Sequence, residues 1–124
     1  MSPVKNMSRS VTTDVELRSQ RLREGDEVML FYPSANRDEA VFAAPDTFDV
    51  RRDPNPHLAF GFGPHFCLGA SLARLELKVM FREVLARLPG LELAPGAALP
   101  LRRSNFVSGL EAMPVRFAPT PATA

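Results

Sequence analysis

"FGFGPHFCLG", residues 60–69, holds the single cysteine of the chain and three of its 7 glycines, and it stands directly ahead of the densest run of helix formers. Gly61, Gly63 and Gly69 admit backbone conformations closed to other residues and leave room for a large group to lie close. Cys67 precedes a helix expected to begin at Leu68 or Gly69. There the unpaired backbone N–H groups and the positive end of the helix dipole favour an anionic sulfur. His65 offers a donor on the same loop, and Phe60, Phe62 and Phe66 flank it.

Three uses of Cys67 compete. A lone cysteine commonly serves as a small buried hydrophobe. A nucleophile with His65 as its base is a second use, although residues two apart across a turn seldom hold that geometry. The third is a metal ligand. One cysteine and 2 histidines cannot complete a zinc or iron–sulfur site unaided. A single thiolate can nonetheless bind an iron whose other ligands come from a macrocycle.

Around this loop the chain reads as a few short elements. "DVELRSQRLREGDEVMLFY" (14–32) predicts two strands about a turn at residues 24–26. Met29 and Phe31 make the second strand apolar on both faces, which predicts cover on both sides. "PSANRDEAVF" (33–42) predicts about two helical turns, with Pro33 in the first turn and Ser34 as a cap. Residues 43–59 form a long loop rich in proline and aspartate. Residues 68–88 predict a strong helix ended by Pro89 and Gly90. Leu68, Leu72, Leu75 and Val79 run along one side of it, and Ala73, Leu77, Met80, Val84 and Leu88 along another. A helix apolar over so much of its circumference belongs inside a protein. Residues 102–117 predict a strand, a tight turn at Ser108–Gly109 and a second strand, before a frayed tail at 118–124.

The chain of 124 residues is long enough for one domain with a modest core. Its formal charge of +1 argues for neither nucleic acid nor an anionic membrane as general partner. One cysteine rules out an internal disulfide, making a reducing cytoplasm the default compartment. No run reaches transmembrane length, and the start "MSPVKNMSRS" lacks the apolar core of a secretion signal. The apolar helix has more surface than these residues can cover, which predicts either a dimer or covering helices from a missing N-terminal portion.

The pattern Phe60-x-x-Gly63-x-His65-x-Cys67-x-Gly69, followed by "ASLARLE" (70–76), resembles the haem-binding signature of the cytochromes P450. The flanks agree: "RSVTTDVEL" (9–17), "ANRDEAVF" (35–42), "FDVRRDPNPHLAFG" (48–61) and "FVSGLEAMPVRF" (106–117) are similar to stretches of bacterial, actinobacterial-type P450s. The resemblance spans residues 2–117 and implies a mainly α fold with small β-sheets (α+β), the C-terminal third of the P450 architecture.

It also implies roles. Cys67 would be the axial thiolate of haem b (iron protoporphyrin IX), pushing electron density onto the iron and favouring O–O cleavage. Phe60 would pack on the sulfur, Gly63 would let the loop approach the porphyrin, and Gly69 and Ala73 would be small because the helix runs close to the ring. His65 and Arg9 match the positions that bind the haem propionates. Arg52 matches an arginine whose partners lie on a helix absent here, so it is expected to have lost them, while Asn36 and His57 would organise the loop. Val4 and Met7, with Phe106 and Val107, match substrate-contacting positions. Arg74, Lys78 and Arg82 form a basic stripe, read either as a solvated face or as a docking patch for a ferredoxin supplied by its reductase.

The implied activity is insertion of one oxygen atom of O2 into a small hydrophobic substrate, sterol or lipid-like. The chain is read as a truncated piece, inactive alone. A half of a split enzyme, a non-catalytic haem carrier and, remotely, a cysteine hydrolase are the other readings.

Overall fold

The computed structural model describes residues 2–118; most of the tail at 118–124 lies outside them. The chain divides into two units, Met1–Ala59 with Ser104–Ser108, and Phe60–Arg103 with Gly109–Ala124.

In the first unit, β1 (Asn6–Ser10) pairs antiparallel with β4 (Glu27–Phe31), Asn6 opposite Phe31 and Ser10 opposite Glu27. Between them β2 (Val15–Leu17) and β3 (Gln20–Leu22) form a hairpin, with Arg18 at φ 53 in its turn. The region 14–32 thus carries three strands where alternation predicted two, because the turn at Arg18 and Ser19 needs no glycine or proline to announce it. Asp14 fastens the base of this hairpin. It accepts the Glu24 amide at 2.9 Å and the Arg21 guanidinium at 2.9 Å. These two donors, the amide first, hold its carboxyl below the usual carboxylate range.

Met29 and Phe31 are exposed, at 54% and 55%, so the double cover predicted for β4 is not provided by this chain. Helix α1 (Tyr32–Ala35) is a single turn, not two. Tyr32 is its first residue, not the end of the strand, and no side chain caps it. The Asp38 carboxylate takes the Ala40 amide at 2.9 Å, which converts the predicted second turn into an Asx-type turn. Arg52 turns to its own loop: it donates to the carbonyls of Ala43, Ala44 and Thr47 at 2.6, 3.0 and 3.0 Å, and lies 5.9 Å from the ring centroid of Phe42.

The second unit is built on α2 (Ala70–Arg87), preceded by a 3₁₀ turn at Gly63–His65. The helix begins later than predicted, since Cys67 to Gly69 form a turn closed by the Ala70 amide on the Cys67 carbonyl at 3.1 Å. It ends at Arg87, because the residue before a proline is driven from helical geometry, and Leu88 has φ −119 and ψ 67. Strand β5 (Glu92–Leu93) pairs with β6 (Val115–Arg116), and Leu101 bridges Leu110. The predicted hairpin about Ser108–Gly109 is therefore not formed as such. The run from 102 splits its pairing: Val107 bridges Val4, and the second strand turns to β5.

Little is buried. Among the described residues only Tyr32, Phe42, Ala70 and Ser2 fall in the buried class. The accessible surface is 10567 Å² at a mass of 13.7 kDa, whereas a folded monomer of that mass exposes about 6,600 Å². Along α2 only Ala70 is buried, while Leu72, Leu75, Leu77, Val79, Met80, Phe81 and Leu85 are exposed. The surplus of apolar surface anticipated from the helix pattern is present in the structure.

Candidate functional site

Cys67 lies where the loop of the second unit meets the turn into α2. Its backbone amide donates to the Phe60 carbonyl at 2.9 Å, which closes the loop over residues 60–67. Inside that closure Gly61 and Gly63 adopt φ 73 and 69, a region that penalises any side chain. A Cβ at Gly63 would meet nothing within 4 Å, so the glycine there is required by backbone conformation and not by protein crowding. Gly69 departs from expectation: its φ is −83, ordinary for any residue, and an added Cβ would face the Cys67 sulfur at 4.0 Å.

The thiol is exposed, so within this chain Cys67 is not a core filler. No hydrogen bond joins it to His65, which ends the 3₁₀ turn and is also exposed. Phe62, Phe66 and Leu68 beside it are exposed at 83%, 49% and 102%. Among the described residues no three His, Cys, Asp or Glu side chains converge. An exposed soft thiol beside apolar side chains fits a metal-containing group that would bring its remaining ligands with it. Ala73, on the first turn of α2, donates its amide to the Gly69 carbonyl at 2.8 Å.

Phe60 makes two side-chain contacts that its position in the pattern did not indicate. Its ring lies 6.4 Å from that of Phe66 and 4.7 Å from the Arg74 guanidinium carbon. Sequence spacing carries no signal for the Phe60–Arg74 contact, since one partner is in an irregular loop. Arg74, Lys78 and Arg82 are all exposed.

The first unit holds the remaining candidates. Arg9 lies on β1 opposite Val28 and donates to its neighbour's carbonyl, that of Ser8, at 2.7 Å. The stretches proposed for substrate contact are brought together: Val4 bridges Val107, and Lys5 donates its amide to Phe106 at 2.8 Å. Met7 and Phe106 are exposed at 38% and 44%. Asn36 donates to Ser2 Oγ at 2.8 Å and accepts the Leu58 amide at 2.6 Å, and His57 Nδ1 accepts the Ala59 amide at 3.2 Å.

The chain matches the family model for cytochrome P450 over residues 1–107. It belongs to the cytochrome P450 family. It is 60% identical over 121 residues to a steroid C26-monooxygenase of Mycobacterium tuberculosis, covering 97% of this chain and 32% of that protein. A methyl-branched lipid omega-hydroxylase of Mycobacterium bovis is 50% identical, over 92% of this chain and 26% of its own length. The crystal structure of a Bacillus megaterium P450 in complex with testosterone superposes with a TM-score of 0.88 at 42% identity, covering 94% of this chain and 32% of that one. The fold is thus part of the P450 fold, and the chain spans about a third of the length of these P450 relatives. No helix among the described residues is long and apolar enough to cross a membrane.

Proposed function

We propose that this P450 chain supplies the thiolate side of a haem monooxygenase. The observation that carries the reading is the exposed sulfur of Cys67, presented by a loop bent at Gly61 and Gly63 immediately before α2. Cys67 would hold the iron, with His65 and Arg9 donating to the two haem carboxylates. Gly63 and Gly69 would keep bulk away from the ring, Phe60 would brace the loop, and Ala73 would leave the adjacent helix face shallow. When bound, the haem supplies the redox chemistry by which one atom of O2 enters a C–H bond.

The relatives and the pairing in the first unit support a hydrophobic substrate class. Val4, Met7, Phe106 and Val107 offer an apolar surface and no ionised group, which suits a steroid or branched lipid. Arg74, Lys78 and Arg82 on α2 would receive an acidic ferredoxin. The chain is not expected to turn substrate over by itself. Its exposed Phe62, Leu68 and α2 leucines need cover that these residues do not give, which favours action as one half of an assembled P450 over action as a free haem carrier.

Haem titration of the chain and of Cys67→Ser, followed by carbon monoxide difference spectra, tests the reading. Thiolate ligation predicts a strongly red-shifted band in the parent and its loss in the serine variant. Persistence of that band in Cys67→Ser would refute the assignment. Tight, saturable uptake by the chain alone would shift the balance to the carrier.

A further inference from the structure

Phe60 is tied down at both its backbone and its ring. Its carbonyl receives the Cys67 amide at 2.9 Å, and its ring carries the Arg74 guanidinium at 4.7 Å and the Phe66 ring at 6.4 Å, inclined by 59°. Both distances fall within the attractive range for cation–π and tilted aromatic pairs. Arg74 stands on the second turn of α2, one turn beyond the Ala70 amide that the Cys67 carbonyl accepts at 3.1 Å. Cys67 is therefore bracketed: one backbone bond leads to Phe60, another to the helix start, and Arg74 links helix and Phe60 through side chains.

We infer that Arg74 is a positioning residue for Cys67: its guanidinium, stacked on Phe60, fixes the end of the loop that receives the Cys67 amide. Gly61 and Gly63 sit in left-handed conformations inside the loop, and its internal backbone bond, Phe66 N–H to the Gly63 carbonyl at 2.9 Å, is local to the 3₁₀ turn. A planar guanidinium suits this place because it stacks on a ring face while its edges stay hydrated; an ammonium offers only a compact charge. Arg74 then differs from Lys78 and Arg82, since its charge is engaged on the ring. The inference goes beyond the monooxygenase reading and does not require bound haem.

The experiment uses the full chain without haem, so its failure is separable from failure of haem binding. Amide hydrogen exchange at Cys67 is measured together with the rate at which the thiol reacts with a neutral disulfide. The chain has 1 cysteine, so the second signal comes from Cys67 alone. Arg74→Gln is expected to accelerate both by roughly two- to fivefold, the range that an exposed cation–π contact supports. Arg74→Lys should recover only a minor part of the difference, because an ammonium keeps the charge but not the planar face, and in a Phe60→Leu background Arg74→Gln should add nothing. The inference is overturned by unchanged rates in Arg74→Gln, or by an equal acceleration when Phe60 is already leucine. It is equally overturned if protection is lost throughout α2 and not at the loop, or if the Cys67 amide of the parent chain exchanges as fast as an unstructured peptide.

Discussion

The side-chain carbonyl of Asn36 accepts the backbone amide of Leu58 at 2.6 Å, while its amide group donates to the hydroxyl of Ser2 at 2.8 Å. One side chain thus joins the end of α1, the chain ahead of β1 and the stretch that leads toward the cysteine loop. Ser2 is 0% exposed, so its hydroxyl has no solvent to fall back on. Asn36→Ala should destabilise the first unit by about 2 kcal/mol, the cost of stranding part-buried polar groups. Asn36→Asp keeps an acceptor for Leu58 and should lose less. Denaturant titration with amide exchange at Leu58 checks both; equal stability of parent and alanine variant would contradict the bridge.

Arg52 should hold the 43–49 turn through its three carbonyl contacts. Arg52→Ala is expected to cost about 1–3 kcal/mol locally and to make this segment a preferred site of proteolytic cleavage. Arg52→Lys should rescue poorly, because one ammonium cannot span three acceptors in a plane. Limited proteolysis with mass mapping reads the outcome.

The hairpin of β2 and β3 should weaken in acid. The carboxyl of Asp14 is lowered first by the Glu24 amide and then by Arg21, so its folded value lies below the ordinary 3.8. A depressed carboxylate contributes stability that is present above the unfolded value and is lost as pH falls through the folded one. Backbone chemical shifts of residues 15–22 should stay constant from neutral pH down to about 4 and move toward random coil below it. In Asp14→Asn that acid-dependent movement should disappear, with a looser hairpin already at neutral pH.

Gly63→Ala should strain the cysteine loop without any clash, because the position is open but its φ is 69. A cost of about 1–2 kcal/mol follows from the left-handed backbone alone, and Gly63→Asn should recover part of it. The Phe66 amide, bonded to the Gly63 carbonyl, is the reporter. An alanine variant with parental exchange at Phe66 would show that the positive φ is not needed.

Substitutions along α2 should separate by exposure. Leu72→Lys and Leu85→Lys replace side chains 60% and 69% exposed and should change stability by less than about 0.5 kcal/mol, while raising solubility. Ala70→Leu, at a residue 1% exposed, should cost about 1–3 kcal/mol through overpacking. Thermal unfolding followed by circular dichroism distinguishes the two classes.

The cysteine loop was the most legible part of the chain, because its signal is residue identity at fixed positions and not a periodicity that context can override. Helix α2 was legible in its composition and in the proline that ends it, but not in its start. The turn over Cys67–Gly69, closed by the Ala70 amide on the Cys67 carbonyl, delays the first helical residue to Ala70. The short sheets were legible only in part. Arg18 turns the β2–β3 hairpin without a glycine, and β6 finds its partner in β5, far away in sequence. Asp38 uses its side chain on the nearby Ala40 amide just past α1, a competition that helix-start signals do not reveal. Contacts such as Arg74 on Phe60 lie beyond spacing rules altogether, since a loop has no repeat to count along.

Because α2 buries only Ala70 of its eighteen residues, melting this chain would wet little oil that is not already wet. The heat-capacity increment on unfolding should therefore be small and the thermal transition broad, so the stability curve is low and nearly flat. Cooperativity would have to be acquired from whatever comes to lie over that helix, and the melting point would then rise with the concentration of the covering partner.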